Sequence, residues 1–351
     1  MSTFFSGALK NLAPYTPGEQ PQDQQYVKLN TNESPYPPSA GVITALNAKE
    51  ASDLRLYSDP ECKELKKALA DYYKVEPENI YVGNGSDEAL NFAFLSYATD
   101  GRGVAFADIT YGFYPVFADL YHIPVQIVPL KSDFSIAPED YYGLNKTIVI
   151  ANPNAPTGMA LSRDAIEGIV KANPDSVVVV DEAYVDFGAE SCVGLTKIYP
   201  NLLVVQTYSK SRSMAGARLG YAIGNAELIR DLETVKFSTN PYNVNRLTLR
   251  AGVQAIAEQD YYTENCKKIM ATRAYTKEKL EKLGFTVLDS RSNFLFARKP
   301  GTDGGAIYRG LKERGVLVRH FDKDPIRDYN RITIGTQEQM DIFLTKLEEL
   351  L

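Results

Sequence analysis

Val177-Val178-Val179-Val180-Asp181-Glu182-Ala183-Tyr184 runs four β-branched apolar residues straight into an acidic pair. A run of four without alternation predicts a strand buried on both faces, as in a parallel sheet covered by helices. Comparable short runs stand at Ile80 to Val82, Gly103 to Ala107, Val125 to Val128, Thr147 to Ile150 and Leu202 to Gln206. Helical patterns fall between several of them, at Ala89 to Tyr97, Tyr114 to Leu120 and Leu161 to Lys171. Ser162 is placed to cap the last of these, with Asp164 in its first turn. Strands alternating with helices imply a doubly wound α/β domain. Its ligand site then lies beyond the carboxyl ends of the strands, where Asp181 stands.

Outward from this core the texture changes. The first forty residues are rich in Pro, Asn, Gln and Tyr and read as an irregular arm. After about Tyr242, long helical segments at Arg246 to Ala257 and Tyr261 to Leu283 lead into further strands. These are Thr286 to Leu288, Phe294 to Ala297, Val316 to Arg319 and Arg331 to Ile334, and a last helix fills Glu338 to Leu350. The expected division is an arm at 1–40, a large ligand-binding domain at 41–241 and a smaller α+β domain at 242–351, to which the arm returns.

Composition narrows the function. With 351 residues and 44% hydrophobic side chains the chain can bury a sizeable core. A net charge of -6 argues against nucleic-acid or acidic-membrane binding. No apolar stretch approaches the roughly 20 residues of a membrane span. Cys62, Cys192 and Cys266 lie far apart and, with only His122 and His320, offer no metal-ligand spacing. Sparse, unpaired cysteines and no leader-like N-terminus predict a cytoplasmic protein.

Several post-strand segments carry chemistry. Gly83-Asn84-Gly85-Ser86-Asp87-Glu88 joins a strand to a helix, where glycines let backbone approach an anion and free N–H groups attract it. Taken alone it is more readily a glycine turn with Ser86 or Asp87 capping the helix. Asp181 is suited to hold a protonated pyridine nitrogen, or to cap a following helix or bind a metal. Lys210, in Thr207-Tyr208-Ser209-Lys210-Ser211-Arg212, is a candidate Schiff-base amine, with Arg212 and Arg218 as nearby positive charges and Ser209 and Arg218 as phosphate ligands. Tyr111 is a candidate to stack on a planar ring, or an ordinary core aromatic. Asn152-Pro153-Asn154-Ala155-Pro156-Thr157-Gly158 by itself is a turn.

In order, GNGSDE, ITYGFY, NPNAPTG, VVVVDEAYVDF and YSKSRSMAGARLGYAIG resemble the class I/II, fold-type I aminotransferases over nearly the whole chain. Within these, the histidinol-phosphate aminotransferase family is the nearer likeness. It is carried by Leu12-Ala13-Pro14-Tyr15, Leu29-Asn30-Thr31-Asn32-Glu33, Tyr57-Ser58-Asp59-Pro60, Gly315 to Arg319 and Asn330 to Thr336. The resemblance implies pyridoxal 5′-phosphate bound through Lys210 as a Schiff base, with Lys210 also moving the substrate proton. It implies Asp181 at the ring nitrogen, Tyr184 near the phenolic oxygen and Tyr111 against the ring. Ser86, Asp87, Ser209 and Arg218 would surround the phosphate, the first two partly through backbone N–H groups. Tyr57 would reach the phosphate of a neighbouring subunit, making a homodimer with shared sites. Arg331 would bind the substrate's carboxylate or phosphate, with Arg319, Tyr15 and Asn32 on the same side.

The implied reaction is transamination between histidinol phosphate and 2-oxoglutarate or glutamate. Aromatic amino-acid transamination and threonine-phosphate decarboxylation use the same lysine and aspartate, and a non-catalytic protein on the same fold is the rival from another class. Two positions depart from the family pattern. Ala155 stands where an asparagine usually donates to the phenolic oxygen, leaving Asn154 as the substitute, and the tyrosine stretch reads YSDP rather than YPDP.

Overall fold

The computed structural model describes residue 2, residues 4–10 and residues 12–351. In chain order its strands are β1 (Val27–Lys28), β2 (Ile80–Gly83), β3 (Val104–Ala107), β4 (Val125–Val128), β5 (Thr147–Ala151), β6 (Val178–Asp181), β7 (Leu202–Thr207) and β8 (Gly220–Gly224). Then come β9 (Thr286–Val287), β10 (Phe294–Arg298), β11 (Val316–Leu317), β12 (Arg319–His320) and β13 (Asn330–Thr333). Seven of them form one sheet in the order β2-β8-β7-β6-β5-β3-β4. All its pairings are parallel except those of β8, which runs antiparallel to both β2 and β7.

The valine run behaves as its pattern predicts. Successive side chains of a strand face opposite sides. Val178 and Val180 enter one core with Leu65 and Leu69 of helix Lys63–Tyr73 and Ile166 and Ile169 of helix Arg163–Ala172. Val179 enters the other with Leu90 and Phe94 of helix Ser86–Tyr97 and Leu232 of helix Ala226–Thr239. Ser162 caps as expected, accepting from Ala165 N. One strand reading needs correction: β4 is the sheet's edge, and Val125 and Ile127 are 40% and 50% exposed, so it is not buried on both faces.

The arm joins the C-terminal elements. β1 pairs in parallel with β11, and Leu29 packs with Val316, Ile332 and Phe343. The expected strand Val316 to Arg319 is two strands: Val316–Leu317 pairs with the arm, and Arg319–His320 pairs with β13 in the sheet β12-β13-β10-β9. The texture changes near residue 242, but the apolar cores part later. Helix Arg246–Ala257 packs Ala251 and Ala255 into the large-sheet core. Along helix Gln259–Lys282, Tyr262 belongs to that core and Cys266 and Ile269 to the C-terminal one. Among the described residues no helix is long and apolar enough to cross a membrane.

Candidate active site

The carboxyl ends of β5, β6 and β7 open onto one cavity, which Ser86, Asp87, Tyr111, Asp181, Tyr184, Ser209, Lys210 and Arg218 help to line. At one end, helix Ser86–Tyr97 begins at Gly85 with no side-chain cap, so Ser86 and Asp87 do not cap it and its first N–H groups stay available. Arg218, in the left-handed region at φ 53°, brings Nη2 to 2.7 Å from Asp87 Oδ2. Tyr111 donates to Asp87 Oδ1 at 2.8 Å. Asp87's carboxylate thus orients Arg218 and Tyr111, and only its backbone is left for an anion. The approach is tight. A Cβ on Gly85 would lie 2.6 Å from Arg218 Nη2, and one on Gly220 would lie 2.2 Å from Ser86 N. Ser209, nearby and buried, accepts from the Thr207 hydroxyl at 3.0 Å.

Asp181 ends β6 inside the cavity, while strand alternation sends Glu182 the other way, to Ser191, Cys192 N and Gln206. Asp181 accepts from Tyr114 Oη at 2.9 Å and Ala183 N at 3.2 Å. Burial pushes its carboxyl up to about 6, against the lowering effect of these two donors. Lys210 reaches the same space. Its Nζ lies 3.4 Å from Thr31 O and 5.7 Å from the Tyr184 ring centre. Tyr184 Oη accepts from Asn32 Nδ2 at 2.9 Å.

A second hollow continues from Lys210 and Tyr184 toward Tyr15, Asn32, Arg319 and Arg331. Arg319 and Arg331 are Cα partners on β12 and β13, which sets two guanidinium side chains on one face. Like charges opposite each other on a sheet are destabilising, and among the described residues neither has a carboxylate partner. Arg331 sits between the rings of Phe294 and Phe321, at 5.4 and 5.7 Å, and donates only to Asn30 O at 3.1 Å. Burial first, and Arg319's charge after it, hold Arg331 below its usual value. Arg319 donates to Thr16 O and Pro17 O at 3.2 and 3.3 Å, tying it to the arm. Tyr15 stacks on Phe113 at 4.3 Å.

Two predicted residues lie elsewhere, and Tyr57, expected to serve a neighbouring subunit, lies outside this chain's own hollows. Asn154 is not in the wall. Its Nδ2 donates to Ile109 O and Thr157 Oγ1, its Oδ1 accepts from Thr110, and Ala155 faces the cavity in its place. Arg212 is buried away from Lys210, with Asp186 and Gln259, and adds no nearby charge on the cavity side. Tyr57 is 79% exposed, stacked at 4.4 Å on Tyr242 and not part of either hollow. Its YSDP loop is fixed by Ser58 Oγ donating to Val244 O and by Asp59 accepting from Glu61 N and Lys63 N. Sequence reasoning missed Tyr114, Thr207 and the aromatic clamp on Arg331, none of which carries a local signal.

The family model for aminotransferase class I and II matches residues 24–347. Histidinol-phosphate aminotransferases of Brachyspira hyodysenteriae and Marinomonas sp. are 50% and 52% identical, each aligned over all of this chain and at least 99% of the other. A solved structure of histidinol-phosphate aminotransferase from Sinorhizobium meliloti, in complex with pyridoxal-5′-phosphate, has a TM-score of 0.83. It is 26% identical and covers 92% of this chain and 90% of the other. The fold is that of the fold-type I enzymes, and the chain belongs to the class I and II aminotransferases, a pyridoxal-phosphate-dependent family.

Proposed function

We propose that the chain transfers an amino group between histidinol phosphate and 2-oxoglutarate, a step of histidine biosynthesis. The observation that carries this reading is the Arg319–Arg331 pair, two guanidinium groups that among the described residues have no carboxylate partner and that line the same hollow as Lys210. Such a pair suits a phosphate in one half of the cycle and a carboxylate in the other. The near-full-length identity to histidinol-phosphate aminotransferases supports the choice of amine.

The residues present fit pyridoxal phosphate. The uncapped helix start, the room preserved by Gly85 and Gly220, and Arg218 with Ser209 suit the phosphate. Asp181, a buried carboxylate that among the described residues has no cation bonded to it, suits a pyridinium nitrogen. When bound, the cofactor supplies an electron sink for the pair left at the amine-bearing carbon. Lys210 Nζ, which lines the cavity, would hold the cofactor's aldehyde carbon and would take and return the substrate proton. Asp181 would keep the ring nitrogen charged, with Tyr114 holding Asp181 in its aim. Tyr111, locked by Asp87, forms one wall. Tyr184 would face the phenolic oxygen as the resemblance implies, and neither Ala155, which has no polar side chain, nor Asn154, which is spent on its own loop, competes for that contact.

A homodimer with shared sites belongs to the same proposal. Tyr57 and Tyr242 form an exposed aromatic stack, and exposed Leu54 and Leu56 lie beside it in sequence. A surface of this kind suits a second copy. The three free, buried cysteines fit a reducing compartment such as the cytoplasm.

Steady-state assays with histidinol phosphate, phenylalanine and threonine phosphate test the reading. Transamination of histidinol phosphate with the highest kcat/KM is expected. Carbon dioxide release from threonine phosphate, or a clear preference for phenylalanine, would replace it.

A further inference from the structure

Three successive arm residues each touch a different member of the site. Asn30 O accepts from Arg331, Thr31 O from Lys210, and Asn32 Nδ2 donates to Tyr184 Oη at 2.9 Å. Asn32 is held on every side. Its N–H donates to Thr333 Oγ1 at 3.0 Å, its carbonyl accepts from Asn293 Nδ2 at 3.0 Å, and its Oδ1 accepts from Thr333 Oγ1 at 2.9 Å. It is buried, with a left-handed backbone at φ 57°, a conformation asparagine tolerates better than most residues.

This network decides which way the amide points. Thr333's hydroxyl accepts the Asn32 N–H, so its single proton is free to be donated, and Asn32 Oδ1 is the acceptor in reach. Nδ2 therefore faces Tyr184. An amide NH2 only donates, so Tyr184 Oη accepts and its own proton must point elsewhere. Among the described residues no protein acceptor takes that proton, and Tyr184 lines the cavity.

We propose that Asn32 is a positioning residue: by donating to Tyr184 it turns the tyrosine's proton into the cavity and makes Tyr184 an obligate donor to the cofactor's phenolic oxygen. This rests on the cofactor seat proposed above. Asn32 touches no reacting atom in this account, and it acts through one hydroxyl. A donor at the phenolic oxygen stabilises the anion there, most of all once the neighbouring nitrogen has lost its proton. Removing the donor therefore moves the pH midpoint of the bound cofactor's visible absorption change upward.

The experiment measures that midpoint, and the cofactor's dissociation constant from apoprotein, in Asn32→Ala, Asn32→Asp, Tyr184→Phe and the double variants. Asp is isosteric but takes the Tyr184 proton rather than giving one. Tyr184→Phe is expected to raise the midpoint, and each Asn32 variant to raise it in the same direction with weaker cofactor binding. In the Tyr184→Phe background Asn32→Ala is expected to add nothing. If Asn32→Ala shifts the midpoint equally in both backgrounds, or leaves it unmoved while Tyr184→Phe shifts it, the inference is wrong and the seat stands. If Tyr184→Phe itself leaves the midpoint unmoved, the seat and the inference fall together. Should Asn32→Ala not fold, Asn32→Gly, which suits the left-handed backbone and adds no charge, and its double variant decide the same question.

Discussion

Tyr114 donates its phenolic proton to Asp181 Oδ2 at 2.9 Å, and both groups are buried. Among the described residues the carboxylate has neutral donors but no bonded cation, and burial dominates and holds it up at about 6. The consequence has a definite sign. The folded carboxyl binds its proton more tightly than the unfolded one, so apoprotein stability falls as pH rises from about 4 to about 6 and stays lower above that. Asp181→Asn removes the buried charge, while its amide can serve Ala183 N and the rotatable Tyr114 hydroxyl. Cofactor-free Asp181→Asn is therefore expected to be more stable than wild type above about pH 6, by at most roughly 3 kcal/mol. The gain should vanish near pH 4. Turnover should drop by orders of magnitude, because the charge acts on the carbanion-like state. Urea unfolding of both apoproteins at the two pH values checks the first part. Equal stability at high pH would mean that the carboxylate is better solvated than its surroundings imply.

Lys210→Ala is expected to abolish turnover with the fold intact. Lys323 also borders the outer hollow, but Lys210 lines both hollows and lies beneath Thr31. Borohydride reduction of the loaded wild type followed by peptide mapping should place the adduct on Lys210, and the variant should yield none. An adduct on Lys323 would displace the central assignment.

Gly220→Ala tests the anion end. The new methyl would lie 2.2 Å from Ser86 N, a backbone atom that cannot swing aside, so the helix start must shift. Arg218→Ala removes a charge-assisted contact worth about 1.5–3 kcal/mol. Its cofactor dissociation constant should rise about 10- to 100-fold, and that of Gly220→Ala by at least as much. Fluorescence titration of the apoproteins measures both. Unchanged affinity in both variants would place the phosphate elsewhere.

Much of this site is legible in the chain because its chemistry sits at strand ends, and strand ends follow from periodicity. Val177 to Val180 announces the strand, so Asp181 follows, and the same logic yields Ser86 and Lys210. What escapes is set by contacts between distant elements. Tyr114 meets Asp181 only because the fold brings it, on helix Phe113–Leu120 and 67 residues away in sequence, within reach of that carboxylate. Arg212 follows Lys210 closely but is drawn into the core by Asp186, which no spacing foretells. Asn154 and Ala155 are neighbours, and which one faces the cavity depends on the loop's hydrogen bonds to Thr110 and Ile109. β8 escapes because Gly220-Tyr221-Ala222-Ile223-Gly224 is a short run with a glycine at each end, which weakens the strand pattern.

The Arg319–Arg331 pair yields the prediction that reaches furthest into function. Histidinol phosphate has no carboxylate beside its amine, so its phosphate must use the anion site that takes glutamate's carboxylate in the other half-reaction. Arg331 is the better anchored of the two, clamped by Phe294 and Phe321 with Nε unbonded, and so is ready to meet either anion with two parallel donors. Arg319 is partly engaged by Thr16 O and Pro17 O and adds charge more than geometry, which matters most to the dianionic phosphate. Arg331→Ala should therefore lower both half-reactions, by about 10- to 100-fold for each contact of 1.5–3 kcal/mol lost. Arg331→Lys should recover part of this, since an ammonium keeps the charge but not the fork. Arg319→Ala should harm histidinol phosphate more than glutamate, and raising salt should narrow that gap, because a partly exposed charge is screened. Single-turnover measurement of each half-reaction decides the matter: an Arg331→Ala enzyme impaired toward only one of the two substrates would mean that phosphate and carboxylate are read at separate places.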